Sequence, residues 1–272
     1  MSWFDALVLG LVEGLTEFLP ISSTGHLIIA ESLLGLGHEH EDPVTNAFTI
    51  IIQGAAILAV CWEYRVKLWE TTRAMFTQAP ARRFALNLII AFLPLAILAK
   101  LFGDAIKARL FAPVPVAIAL VAGGLIILWA EKRKHVERIG TVDDVQPVDA
   151  LKVGLFQVLA LFPGTSRSAA TILGGLFVGF TRRAATEFSF FIAIPTLLAA
   201  TVYSLWEARH DLTTAYLGPL TLSSVVAFIT ALLSIRFLLR FVSNHSFAAF
   251  AWYRIVFGGV ILATSALGWV KW

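Results

Sequence analysis

Read by hydrophobic and polar position alone, the chain alternates long apolar runs with short polar joints. A membrane-spanning helix needs about 20 predominantly apolar residues. The pattern predicts six such helices, at roughly 46–62, 84–103, 113–130, 184–206, 215–235 and 249–270. Two further apolar regions do not fit that length. Residues 6–34 form two pieces of about 14 residues, parted by Pro20-Ile21-Ser22-Ser23-Thr24-Gly25. Residues 151–180 form two more, parted by Pro163-Gly164-Thr165-Ser166-Arg167-Ser168. Each piece is too short to cross, which predicts re-entrant hairpins that dip to mid-membrane and turn back. Broken backbone survives at that depth only where protein buries it or a wet cavity meets it.

The two broken regions resemble each other. Phe18-Leu19-Pro20-Ile21-Ser22-Ser23 lines up with Leu161-Phe162-Pro163-Gly164-Thr165-Ser166. Phe48-Thr49-Ile50-Ile51-Ile52 then matches Phe188-Ser189-Phe190-Phe191-Ile192, and Leu68-Trp69-Glu70 matches Leu205-Trp206-Glu207. The collinear order predicts two repeats. The first covers 1–131, with its hairpin at 6–34, and the second covers 150–272, with its hairpin at 151–180; a polar linker over 132–149 joins them. Three spans per repeat is an odd number, so the second repeat enters from the opposite face. The expected fold class is therefore an all-α polytopic membrane protein, with six transmembrane helices and two re-entrant hairpins in an inverted-topology repeat. Interrupted short segments in matching places point to a binding site in such folds.

Composition agrees. The chain is 58% apolar and 14% charged, with a mean hydropathy of +0.81; soluble domains run near 25% charged. Weak alternation argues against a β-barrel. The net charge of +3 matters less than where the cations fall. Arg65, Lys67, Arg73, Arg82 and Arg83, then Lys132, Arg133, Lys134, Arg138 and Lys152, then Arg182, Arg183, Arg236 and Arg240 share one side of the predicted topology. The other side has mainly Lys107, Arg109, Arg209 and Lys271. The positive-inside rule then puts the linker in the cytoplasm and both termini outside. Asp5, Glu13 and Glu17 in the first apolar run, without a basic flank, argue against a signal peptide. The single cysteine, Cys61, excludes an internal disulfide. Trp3, Trp62, Trp69, Trp206 and Trp272 fall near span ends, as an aromatic belt does. Pro94 and Pro195 predict kinks. Nothing points to a nucleic-acid partner, and the pattern carries no signal for oligomeric state.

The candidate chemistry sits in the breaks. Glu13 and Glu17 are one helical turn apart and share a face. Carboxylates inside a membrane segment are costly and face an interior or a cavity. The plain alternative is a structural pair capped by hydroxyls or an arginine. Arg167 stands at the mouth of the apolar helix Ala169–Phe180, beside Gly164, Thr165, Ser166, Ser168 and Thr171. A helix N-terminus favours an anion, and a guanidinium fork suits phosphate oxygens. Arg167 could equally pair with Glu17, and a phosphate could displace that pair. Ser22, Ser23 and Thr24 offer a nucleophile, though such a run is commonly just an N-cap, and His26 adds an acid–base group. Gln53 either reaches the site or bridges helices. Arg254, inside a span, needs a partner or a phosphate, with Glu187 and Glu17 as the available counter-charges. The cluster His38, Glu39, His40, Glu41 and Asp42 lacks helical ligand spacing and reads as a solvated loop.

Assembled, these residues resemble the undecaprenyl-diphosphate phosphatase family, also called bacitracin-resistance protein. Glu13-x-x-x-Glu17 resembles its acidic motif, and Pro163-Gly164-x-Ser166-Arg167-Ser168-x-x-Thr171 its PGxSRSxxT motif. His26 resembles its histidine, and Tyr253-Arg254 its C-terminal tyrosine-arginine. The resemblance implies a multi-pass enzyme of the bacterial inner membrane with an outward-facing site. It implies a phosphoric anhydride hydrolase that acts on a prenyl diphosphate lipid within the bilayer. The product, undecaprenyl phosphate, recycles the carrier for peptidoglycan and other envelope polymers, and extra enzyme gives bacitracin resistance. It also implies stimulation by a divalent cation, Mg²⁺ or Ca²⁺, for which Glu13 and Glu17 are the candidate oxygen ligands. Combined with the residue reading, the expectation is a catalytic set of Ser23, His26, Glu17 and Arg167. Ser22, Thr24, Gly164, Thr165, Ser166, Ser168, Thr171, Arg254 and Gln53 are expected around the phosphate. Ser23 attacks phosphorus with His26 or Glu17 taking its proton, or water attacks directly. Two other classes compete. A lipid-phosphate transporter uses the same repeat architecture. Gly25-His26 and Ser166-Arg167 resemble fragments of type-2 phosphatidic-acid phosphatase motifs, but that class's lysine-rich first motif is absent.

Overall fold

The helix boundaries follow local rules. Ser2 and Asp5 form a reciprocal cap, Ser2 Oγ accepting from Asp5 N–H at 3.1 Å and Asp5 Oδ2 from Ser2 N–H at 2.6 Å, which starts the first helix. Prolines open three others, at Pro43, Pro113 and Pro147, where a missing N–H costs nothing. The computed structural model describes residues 1–36, 43–133, 135–207, 209 and 214–268, without the side chains of 43–47, 104, 107, 214 and 215. The acidic-histidine cluster His38–Asp42, Lys134, Lys271 and Trp272 lie outside the described residues. The described residues form α1 Trp3–Thr16, α2 Ser23–Leu34, α3 Pro43–Glu63, α4 Arg65–Ala74, α5 Ala79–Leu110, α6 Pro113–Glu131, α7 Pro147–Gln157, α8 Arg167–Val178, α9 Arg182–Glu207, α10 Thr214–Val242 and α11 Ala248–Ala266.

Among the described residues five helices, α5, α6, α9, α10 and α11, are long and apolar enough to cross a membrane. A sixth crossing is available if α3 and α4 count together, though they meet at 77°. The chain is thus an all-helical, multi-pass membrane protein. α5 and α9 continue through Pro94 and Pro195 without ending there.

The short pairs α1–α2 and α7–α8 share one local build. Ser22 caps α2 at φ 73° and Ser166 caps α8 at φ 71°. Each side chain accepts from the N–H three residues on, Gly25 and Ala169 respectively. Each helix has 12 residues and ends on a left-handed glycine, Gly35 or Gly179. The pairs sit at opposite ends of the bundle. α7 leaves the linker, and α8 returns to it, where Phe180 pairs with Ile139. Met1, Leu34 and Leu36 instead gather with Leu220 near the start of α10.

Packing is reciprocal. α1 lies on α10 while α7 lies on α5, α6 lies on α11, and α3 lies on α9. Between α6 and α11, Gly124 abuts the Ala251 carbonyl and Gly258 abuts the Ala117 carbonyl; a Cβ on either glycine would come within 2.7 Å of that oxygen. Small residues permit such backbone approach where lipid offers no hydrophobic drive to pack.

Cationic side chains collect at the linker end. Lys67 pairs with Asp143 at 2.5 Å, Arg83 donates to the Asp143 carbonyl at 2.8 Å, Arg182 pairs with Glu131 at 2.7 Å and Arg236 with Glu63 at 2.8 Å. Arg138 pairs with Asp149, which raises its already high pKa through that hydrogen bond.

Candidate active site

The breaks before α2 and α8 meet around a cavity of about 100 Å³. Its walls are Glu17, Ser22, Ser23 and Thr24 from the first break, Gly164, Ser166 and Arg167 from the second, and Gln53 from α3. Both helices present their N-terminal ends here, so two positive dipole ends converge on one space. Ser22 and Ser166 are the two non-glycine residues with positive φ among the described residues. Such backbone costs on the order of 1–3 kcal/mol each and is characteristic of functional sites.

Ser23 Oγ donates to Glu17 Oε2 at 2.5 Å. Arg167 Nη2 donates to Glu17 Oε1 at 3.2 Å, and both side chains of that ion pair are under a tenth exposed. Arg167 Nη1 is held by the Ser189 carbonyl at 3.1 Å. Arg167 Nε–H is buried and has no partner among the described residues. A buried donor left this way costs about 1–3 kcal/mol, and an oxyanion in the cavity would relieve it. The site thus holds a hydroxyl on a carboxylate, a guanidinium with a spare donor, and two helix N-termini. That arrangement can deprotonate an oxygen nucleophile and neutralise a phosphoryl group.

The other predicted site residues lie behind the walls. Ser168 Oγ donates to the Leu19 carbonyl at 2.9 Å and contacts Ser166 Oγ at 2.9 Å, tying the second break to the first. Thr171 Oγ1 contacts Ser189 Oγ at 2.7 Å. The Thr165 N–H is spent on the Phe162 carbonyl at 3.1 Å. Glu13 is fully buried one turn behind Glu17 and does not line the cavity.

His26 also sits apart. Its Nδ1 is 2.7 Å from the Ser22 carbonyl, which can only accept, so Nδ1 carries the proton. Its Nε2 is 2.7 Å from Tyr253 Oη, and the ring stacks on Phe257 with centroids 4.4 Å apart. Both ring nitrogens are engaged away from Ser23.

Arg254 departs furthest from expectation. It is fully buried, and its five donors all go to backbone carbonyls. Nε reaches Leu120, Nη1 reaches Pro20 and Thr165, and Nη2 reaches Ala119 and Gly164, at 3.0–3.3 Å. No donor remains for phosphate. The expected counter-charges pair elsewhere, Glu187 with Arg183 and Glu17 with Arg167. Arg254 instead staples the two breaks and α6 together.

For a cation, the donor set is thin. Among the described residues no three His, Cys, Asp or Glu side chains converge. Mg²⁺ nevertheless binds through one or two carboxylates plus substrate phosphates, and Glu17 has the oxygen chemistry and the position for that.

Ser189 was not foreseen: it orients Arg167 through a main-chain carbonyl, which leaves no mark in side-chain patterns. The walls Ala160 and Leu197 were equally silent, being ordinary apolar residues.

Known proteins give a consistent match. The family model described as bacitracin resistance protein BacA matches residues 6–260. An undecaprenyl-diphosphatase of Dechloromonas aromatica is 56% identical over 267 residues, covering 98% of this chain and 96% of that protein. One from Nitrosospira multiformis is 56% identical over 275 residues, covering 100% and 99%. An undecaprenyl-diphosphatase 2 of Rhodospirillum rubrum is 56% identical over 267 residues, with 98% and 96% coverage.

Proposed function

We propose the function from a family premise: the chain belongs to the bacitracin resistance protein BacA family. It is an undecaprenyl-diphosphatase, hydrolysing undecaprenyl diphosphate to undecaprenyl phosphate and inorganic phosphate, and its activity confers bacitracin resistance. The observation that carries the site is the Ser23–Glu17–Arg167 chain with its spare buried Nε–H.

In this reading the terminal phosphate enters the cavity between the N-termini of α2 and α8. Arg167 and first-turn N–H groups hold its oxygens and balance charge as the transition state forms. Ser23 Oγ attacks the terminal phosphorus, the bond to the bridging oxygen breaks, and undecaprenyl phosphate leaves. Glu17 takes the Ser23 proton, since it already accepts that hydrogen bond and His26 does not. Water then releases phosphate from the seryl intermediate. Positioning and neutralisation suffice for phosphoryl transfer, so this small set is enough. Glu17, backed by Glu13, would hold a divalent cation with the substrate's phosphate oxygens, which supplies further charge neutralisation when bound.

The finer fold reading is an inverted repeat, with both short pairs re-entrant. Its support is the matched serine and glycine caps, the reciprocal packing and the attachment of the pairs to opposite ends. The setting is the bacterial inner membrane, with the linker in the cytoplasm and the cavity facing outward.

The test is phosphate release from purified protein. Ser23→Ala is expected to lose at least about 10³-fold in kcat. Near-normal turnover would transfer the attack to water. The competing transporter reading predicts no phosphate release in detergent, where no second compartment exists.

A further inference from the structure

Resting on the diphosphatase reading, we propose that the substrate's prenyl chain lies in a groove between α5 and the turn at 158–162. The groove measures about 460 Å³. Leu98, Phe102, Ile106 and Arg109 line one side, and Leu161 and Phe162 the other. The four α5 residues are three or four apart and so share one helix face.

Phe162 is a wall of both the catalytic cavity and the groove. Its neighbours divide between the two: Ala160 and Pro163 face the cavity, Leu161 the groove. A polar chamber thus adjoins an apolar channel across one aromatic ring. That polarity step is the one within a prenyl diphosphate, between its charged head and its hydrocarbon. Phe102 and Phe162 are about half exposed, at 52% and 45%, so the channel opens sideways along the bundle surface. Among the described lining residues the one charged side chain is Arg109, near the end of α5.

Bilayer lipid is the rival occupant, and the tether decides between them. A chain whose phosphate is already held in the cavity meets the groove at high effective concentration, whereas a free acyl chain does not. Hydrocarbon gains little by exchanging lipid for a protein groove. The groove therefore acts by aligning the bridging oxygen for departure, and its effect belongs in kcat/KM.

The test compares undecaprenyl diphosphate with geranyl diphosphate on purified full-length protein. Ala105 also lines the groove, and Ala105→Trp would narrow it, which costs a long chain more than a short one. We expect kcat/KM to fall about tenfold for the long substrate and by no more than about twofold for the short one. Equal effects on both substrates, or none on either, overturn the groove. Wild-type protein that releases phosphate from neither overturns the diphosphatase reading instead. A diazirine-bearing long-chain prenyl diphosphate on the wild-type protein gives a readout that does not depend on a variant. Crosslinks within 98–110 are expected, and crosslinks confined to other helices overturn the proposal.

Discussion

Two buried arginines in this molecule have the same chemistry and opposite duties. Arg167, on the cavity wall, leaves its Nε–H without a partner among the described residues; Arg254 spends all five donors on carbonyls. Lysine keeps the charge at either place but loses the planar fork and has three donors. Arg167→Lys retains a cation for Glu17, so its fold should hold while kcat falls on the order of 10²-fold. Arg254→Lys leaves at least two buried carbonyls unmatched, at about 1–3 kcal/mol each. Its melting temperature in detergent should drop along with activity, and a wild-type melt would contradict the staple. From sequence, both residues read as phosphate ligands because an intramembrane arginine invites that reading. What separates them is which atoms surround each guanidinium, and Arg254's partners are carbonyls that every residue owns. His26 misled in the same way. Its type suggested an acid–base role, but Tyr253, far along the chain, takes its Nε2. That Ser23, Glu17 and Arg167 lie together follows from the two breaks in the apolar pattern; taken singly, Ser23 reads as an ordinary N-cap and Arg167 as a structural partner of Glu17.

At the level of elements, the breaks were visible because proline, glycine and hydroxyls interrupt apolar runs that would otherwise continue. The register between them was not. Matching Pro20 to Pro163 sets Ser23 against Ser166, but the caps set Ser22 against Ser166 and Ser23 against Arg167. A shared letter outweighed a shared conformation, and φ is not written in the sequence. The bend between α3 and α4 escaped for a similar reason, since neither proline nor glycine marks it. The cap geometry makes its own prediction. Ser166→Ala loses the side-chain acceptor and keeps a strained backbone. Ser166→Gly loses the same acceptor but adopts φ 71° freely. The glycine variant should therefore be the more stable by about 1 kcal/mol. Thermal melts of the pair check this, and an alanine variant that matches or exceeds the glycine one would show that the positive φ carries no strain.

Across the whole molecule, the two ends differ in charge and in what they anchor. One end carries the linker, the α4 cations and both ends of the α7–α8 pair. The other carries Met1, the ends of the α1–α2 pair and the start of α10. Several of the linker-end cations are already paired with carboxylates, as in Lys67–Asp143 and Arg182–Glu131. Pairing does not cancel their topological influence, because orientation follows Lys and Arg counts rather than net charge. Ser2 and Thr141 are exposed at the two ends. In a Cys61→Ala background, Ser2→Cys should react with a membrane-impermeant maleimide supplied from outside the inner membrane. Thr141→Cys should react only after the membrane is opened. The swapped result would turn the cavity toward the cytoplasm and overturn the charge argument. Reaction of both from one side would break the odd count of spans per repeat, and with it the proposed inversion of the second repeat.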